Sequence, residues 1–324
     1  MSILTNRHDF LLLFEVTNGN PNGDPDAGNM PRIDPNTNHG IVTDVCLKRK
    51  VRNFVELFPH TRDSDFDNGF NILIKQGAII ETEQKKGEDI AASKLPKGTD
   101  DQKAEFAIKW LCREFYDLRT FGGVVSTGNG VLLGSAWGQV RGPVQFTFGQ
   151  SYHPITPLEI SITRCAVTKE ADANKERTMG NKHIVPYALY AAKGYVSPVF
   201  AERTGFTQSD LDLLFEAIAH MFEHDRSAAR GEMIVRGIYD FEHVGTHADA
   251  TDENQRSQNL REARLGCAHA HKLFEGIKVR LQDGKDFPES FADYVVENTW
   301  TEENLPKGVK LHLRLEGTTI PEAG

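Results

Sequence analysis

The stretch Asp9–Thr17 (DFLLLFEVT) constrains this chain more than any other, because five large apolar residues run without a break from Phe10 to Phe14. A membrane helix needs about 20 such residues, so this short run, bounded by turn residues, reads as a strand buried on both faces. The next segment is equally restrictive. Asn18–Asn29 (NGNPNGDPDAGN) is built almost wholly of Asn, Gly, Pro and Asp, residues that accept positive φ or fix it near about −65°. It has to be a shaped loop.

A helix is expected from Thr43, with Thr43 as N-cap, Asp44 in the first turn and Pro59 beyond its end. Leu47, Val51, Phe54, Val55 and Phe58 form its apolar stripe. Lys48, Arg49 and Arg52 lie off that stripe, and Arg32 stands between loop and helix. Such cations can follow a phosphate track, although a solvated helix face is the plainer alternative. The asparagines of the loop, Asn18, Asn20 and Asn22, offer amides and backbone N–H groups to phosphate or base edges, or simply make a turn. Gly122 and Gly123 can bring backbone close to a ligand or form a tight turn.

Net charge points away from a polyanionic partner, since 37 Lys and Arg against 46 Asp and Glu give −9. Distribution weakens that objection: residues 283–303 alone hold seven acids and one base, a local −6, leaving the remainder nearly balanced. With 39% apolar and 26% charged residues the 324-residue chain has the composition of a soluble globular protein. It shows no basic-then-apolar leader, so a cytoplasmic location without membrane contact is expected. Cys46, Cys112, Cys165 and Cys267 form no C-x-x-C pair.

Periodicity marks further elements. Residues 60–99 turn polar and Gln102–Leu118 regains a helical pattern, which together read as an insertion. Arg119–Ser126 and Gln139–Gly149 read as strands, the second with Val144, Phe146 and Phe148 on one face and Pro143 at an edge or bulge. Leu158, Ile160 and Ile162 alternate in another strand, and Lys169–Lys182 is a polar excursion before the chain returns as HIVPYALY, making a long hairpin. Ser209 is the expected cap of a helix carrying Leu211, Leu214, Phe215, Ile218 and Phe222, and Met233–Phe241 reads as a strand. Arg264–Gly276 looks helical, and Val309, Leu311, Leu313 and Leu315 alternate in a last strand. The order β-α-β-β-α-β is the split βαβ, or ferredoxin-like, plan shared by RNA-recognition folds.

Local signatures of catalysis or metal binding are weak. The loop Asn18–Asn29 imitates a calcium site until its twelfth position, which is Asn29 where Glu is required. His220 and His224 lack the H-E-x-x-H context of zinc, and neither a phosphate-binding G-x-x-x-x-G-K-[ST] nor a G-x-S-x-G element is present. Asp24, Asp26 and Asp34 are able in principle to hold Mg²⁺ for phosphodiester cleavage, against commoner turn and capping roles.

Three strings, NGNPNGDPDAGNMPRID (Asn18–Asp34), HGIVTDVCLKRKVRNF (His39–Phe54) and DRSAARGEM (Asp225–Met233), resemble the backbone subunit of the type I-C CRISPR surveillance complex, Cascade. That resemblance implies an α+β fold: a modified ferredoxin-like (RNA-recognition-like, RAMP-type) palm with a helical fingers insertion and a β-hairpin thumb. Palm would occupy 1–59, 119–167 and 184–324 with the C-terminal elements, fingers 60–118 and the thumb tip 168–183. It implies a non-catalytic, cofactor-free subunit that polymerises with further copies of itself. Its partners would be the guide (CRISPR) RNA, target DNA and other Cascade subunits. RNA-gripping residues map to Lys48, Arg49 and Arg52 with Thr43 and Arg32 nearby, and a thumb wedge maps to Met179, beside Lys182 and His183. The rival reading is a metal-dependent endoribonuclease of the type III backbone kind, using Asp24 or Asp26.

Overall fold

A computed structural model describes residues 2–57, 69–166, 169–170, 179–247 and 249–315. Strand β1 (Arg7–Gly19) contains the apolar run and extends beyond it at both ends. Side chains alternate across a strand, and here Phe10, Leu12, Phe14 and Val16 enter one buried cluster while Leu11 and Leu13 enter another. Each burial contributes roughly 1.5–3 kcal/mol. The loop after β1 is a small hairpin, β2 (Gly23–Asp24) with β3 (Met30–Pro31), folded around a 3-10 turn at Pro25–Ala27. Gly28 and Asn29 close that turn at φ of 62° and 64°. Strand β4 (His39–Val42) then leads into α1 (Asp44–Val55), capped by Thr43, with Leu47, Val51, Phe54 and Val55 buried. Phe58 of the expected stripe lies outside the described residues.

The inserted helices are α2 (Ile80–Lys94), α3 (Asp100–Glu114) and α4 (Tyr116–Phe121). Small residues, Ala91, Ala104 and Ala107, let α2 and α3 approach, and with Leu73, Leu111, Leu118 and Leu132 they form a third buried cluster. The expected helix Gln102–Leu118 is two helices, because Phe115 adopts extended backbone between them.

Two expected strands are corrected here. Arg119, Thr120 and Phe121 belong to α4, and only Gly122–Val124 forms a strand, β5. It pairs with β6 (Gln139–Arg141) outside the main sheet. The stretch Gln139–Gly149 breaks into β6, β7 (Val144–Phe146) and the start of β8 (Gly149–Pro154), since Pro143 has no N–H to give a ladder. Phe148 accordingly leaves the face of Val144 and Phe146 and is 58% exposed.

Next come β9 (Leu158–Thr163), β10 (Met179–Val196), α5 (Pro198–Thr204), α6 (Gln208–His220) and β11 (Glu232–His243). Thr207, not Ser209, caps α6: its hydroxyl accepts from Asp210 N, and the Asp210 carboxylate accepts from Thr207 N at 2.8 Å. The expected helix Arg264–Gly276 is also divided, into α7 (Glu253–Leu265) and α8 (Ala270–Glu275), because Gly266 turns the chain at φ 108°. A hairpin of β12 (Ile277–Leu281) and β13 (Tyr294–Asn298) precedes β14 (Val309–Leu313).

The main sheet runs β14-β11-β1-β10-β8-β4 with antiparallel neighbours throughout. Its middle four strands, with α1 and α6 as crossovers, are the split βαβ plan. Helices α1 and α6 cover one face, and α8 with the β12–β13 hairpin covers the other. The fold is therefore the expected mixed α+β class around a central antiparallel sheet. Among the described residues no helix is long and apolar enough to cross a membrane.

One buried ion pair fastens α4 to α6. Arg119, wholly inaccessible, grips the Asp210 carboxylate through Nη2 at 2.7 Å and Nε at 3.1 Å, and donates to the carbonyls of Cys112 and Gly69. Asp210→Ala leaves that guanidinium buried without its counter-charge and removes the carboxylate that accepts from Thr207 N in the α6 capping box. A loss of about 3–5 kcal/mol is expected, checked by urea unfolding; a loss under about 1 kcal/mol would show the pair to be dispensable.

Candidate nucleic-acid interface

The β2–β3 hairpin is tied to the start of α1 by side chains, not by ladder bonds. Asn22 Oδ1 accepts from both the N–H and the hydroxyl of Thr43, each at 2.9 Å, so the residue that caps α1 also holds the hairpin. Asn20 donates through Nδ2 to Asn29 O at 2.8 Å, and its N–H reaches Ala229 O, in the loop before β11, at 2.6 Å. Its Oδ1 is buried with no partner, and so is Nε of Arg32. Buried orphans of this kind need an explanation. Asn18, by contrast, is exposed and takes φ 47° at the turn.

Around this hairpin three cations converge from distant parts of the chain. Arg32 pairs with Asp24 at 3.1 Å, while Lys50 pairs with Asp225, whose carboxylate also takes Arg230 at 2.8 Å. Cys46 sits among them: burial pushes its thiol up, and Lys50, Asp225, Arg230 and Arg32 all act on it. Lys50, Asp225 and Arg230 are participants that reading the sequence missed. Lys50 stands three residues after Leu47 and four before Phe54, on the buried side of α1, which was the available signal.

The basic helix residues divide into different environments. Lys48 pairs with Asp44 at 2.9 Å and lies 5.8 Å from the Phe121 ring. Arg49 donates to Ile74 O at 2.7 Å. Arg52 is buried: its Nε meets Asp117 at 2.8 Å, and the same carboxylate accepts from Leu73 N and Ile74 N. The reading of the three as one basic helix face is therefore corrected, since Arg52 is enclosed against Asp117. Residues off the apolar stripe of α1 are covered by a second partner, the segment Leu73–Ile74 with α4, which a single-helix pattern does not reveal.

Gly122 does bring backbone close, but to this chain's own strand. At φ 75°, a Cβ there would meet Val140 O at 2.3 Å, and one on Gly142 would meet Gly122 N at 2.3 Å. Gly123 has only Leu118 nearby. Asp24 is occupied as cap of the 3-10 turn, accepting from Asp26 N, and as partner of Arg32. Asp34 accepts from Asn36 N, which lowers its pKa. His220 and His224 pack on the Phe54 ring, at 6.1 and 5.8 Å between centroids. Among the described residues no three His, Cys, Asp or Glu side chains are grouped to hold a metal.

The β9–β10 arm carries the expected wedge residues on opposite faces. Opposed residues of an antiparallel pair share a face, so Met179 and His183, opposite Thr163 and Glu159, lie on one side. Lys182, opposite Ile160, lies on the other with Leu158, Ile162 and Ile184. Met179 is 67% exposed at the far end of the described pairing; residues 171–178 of the polar excursion lie outside the described residues.

Because Arg52 neutralises a wholly buried carboxylate and Lys48 a partly exposed one, their substitutions should separate. Arg52→Ala, leaving Asp117 buried and unpaired, is expected to cost about 3–5 kcal/mol; Lys48→Ala should cost under about 1 kcal/mol. Thermal and urea melts of the two variants check this, and equal losses would reject the distinction.

The model of the family described as CRISPR-associated protein Cas7 matches residues 6–299. A curated protein of that description from Haloferax volcanii is 28% identical over 229 residues, 64% of this chain; the match spans 62% of that relative's length. Among solved structures, a chain of a CRISPR RNA-guided surveillance complex aligns at TM-score 0.42 and 13% identity, covering 72% of this chain and 68% of that one. A chain of such a complex in a pre-nicking state aligns at TM-score 0.45 and 14% identity, covering 78% and 82%. With nearly its whole described length matched by the family model, this chain belongs to the CRISPR-associated protein Cas7 family.

Proposed function

We propose that this chain is a non-catalytic RNA-binding filament subunit of a type I-C CRISPR surveillance complex. In this reading it holds guide RNA by its backbone, beside further copies of itself and other subunits, and presents the bases for pairing with target DNA. Protein contacts then read shape while base pairing reads sequence. The observation that carries the reading is the convergence of Arg32, Lys50 and Arg230 on a hairpin whose Asn20 Oδ1 and Arg32 Nε are buried without partners. Such atoms suit a ligand rich in phosphate oxygens and ribose hydroxyls. The nuclease reading draws less support, since the Asp24 carboxylate is already engaged by Arg32 and the Asp26 N–H.

Arg32, 30% exposed, and Lys48, paired only to the partly exposed Asp44, are the test positions, with Asn18, Asn20, Asn22, Thr43 and Gly123 as the remaining members of the proposed track. Arg32→Gln and Lys48→Gln should each weaken binding of single-stranded RNA and reduce the log–log salt slope by roughly 0.7 for each phosphate that is no longer neutralised. Filter binding across a salt series checks it, and an unchanged slope in both variants would refute the track.

We place the thumb wedge at Met179, where a flexible apolar side chain stands exposed at the end of a paired arm. Met179→Gly should leave RNA affinity within a few-fold while abolishing any regular pattern of distorted nucleotides in the bound guide. Chemical probing of the assembled RNA decides this, and a periodic pattern that survives the change would put the wedge elsewhere.

A further inference from the structure

The most exposed large apolar side chain among the described residues is Phe287, at 79%, on the loop joining β12 and β13. Acids surround it in sequence: Asp283, Asp286 and Glu289 are all exposed. Asp283 reaches Arg280 only at 3.6 Å, and the one base of the loop, Lys285, is held by Asp293 at 2.8 Å. A lone exposed aromatic in an acidic setting is a shape that complements an apolar cleft with a cationic rim.

Such a cleft exists on this same chain. A cavity of about 480 Å³ opens between α3, β6 and α5, walled by Ile108, Trp137 and Val140 and rimmed by Arg141 and Arg203, with Lys109 already paired to Glu105 at 2.6 Å. Arg141 and Arg203 both lie over the Phe200 ring, at 4.9 and 5.7 Å, and neither has an ion pair with a described residue. The one acid of the rim, Glu202, is already taken by Arg264 at 2.6 Å. Trp137 is fixed in place through Nε1, which donates to Asp101 at 2.9 Å. The cleft is thus preformed, apolar inside and cationic at its edge.

Knob and cleft cannot serve each other within one molecule. The knob grows from the β12–β13 cover on one face of the main sheet, while α5 packs with the cluster on the opposite face. We propose that the Phe287 loop of one copy of this chain docks in the Ile108–Trp137–Arg203 cleft of the next. Repeated head to tail, such a contact of two different patches propagates from copy to copy, as an open chain where the rotation does not close. This deepens the filament reading and rests on it for the identity of the partner. It also gives a use to the acidic excess of residues 283–303, which an RNA track alone leaves unexplained.

A photo-cross-linker, p-benzoylphenylalanine in place of Phe287, tests the contact in the full-length protein, with and without guide RNA. Peptides containing Ile108 or Trp137 of a second copy are the expected products. Products on any other surface, or none in either condition, overturn the docking. So does ultraviolet cross-linking of guide RNA to Trp137, which would make the cleft a base-stacking site. A cleft cross-link that forms while RNA fails to bind would sink the RNA reading and leave the docking standing. In solution, Phe287→Ala and Arg203→Glu should each weaken self-association on the order of ten-fold, measured by sedimentation. Asp286→Arg combined with Arg203→Glu should restore much of it. Both positions are exposed or at the rim, so melting temperatures should stay put, and a double variant no better than Arg203→Glu alone would reject the charge pairing.

Discussion

A strand buried on both faces obliges a chain to supply two covers, and the rest of this molecule follows from how it does so. One cover, α1 with α6, comes from the two crossovers of the split βαβ plan and is built of Leu, Val and Phe at helical spacing. The other is assembled late in the chain from α8 and the β12–β13 hairpin, onto the side that presents Leu11 and Leu13. Because the first cover also presents α1 beside the β2–β3 hairpin, the candidate interface inherits its position from the core. Thr43 shows the economy of this: one residue caps the helix and anchors the hairpin through Asn22.

Buried charge then fixes the inserted helices relative to that core. Arg119 with Asp210 and Arg52 with Asp117 each span elements far apart in sequence, and each carboxylate takes additional N–H donors. Apolar contacts alone are nondirectional, whereas these pairs are satisfied in one orientation only. Breaking one partner is far costlier than never having the pair, so the placement of these helices against the core is set by buried charge as well as by apolar contact.

Legibility in the sequence tracks this division. Periodicity found β1, α1, α6, β11 and β14, because their patterns are set by a single covered face or by full burial, and it found β9 by alternation alone, since every residue of that strand is exposed. It failed where two elements jointly cover a third. Arg52 looked solvated because α1 alone displays one stripe, and Arg119 looked like the start of a strand because nothing local reveals its partner 91 positions away. Breaks were not always seen: the expected helix Arg264–Gly276 ran through Gly266, where the chain turns, and Pro143, expected at an edge or bulge, splits its strand. At the candidate site the hairpin, Arg32 and Thr43 were legible from turn chemistry and capping. Lys50, Asp225 and Arg230 were not, since their meeting depends on tertiary pairing across 175 residues.

This also bears on how a chain of net −9 can present a cationic groove. Counting Lys and Arg overstates what is available, for Arg52 and Arg119 are consumed by the fold, and counting acids overstates the opposition, for much of the excess lies in residues 283–303. What remains near the hairpin is three cations against Asp24 and Asp225. Their carboxylate partners position Lys50 and its neighbours, while Arg32 and Arg230 remain 30% and 36% exposed. On the proposed RNA-binding reading, a phosphate would meet guanidinium groups already oriented, and the ordering cost that usually weakens a flexible basic surface would be met largely in advance.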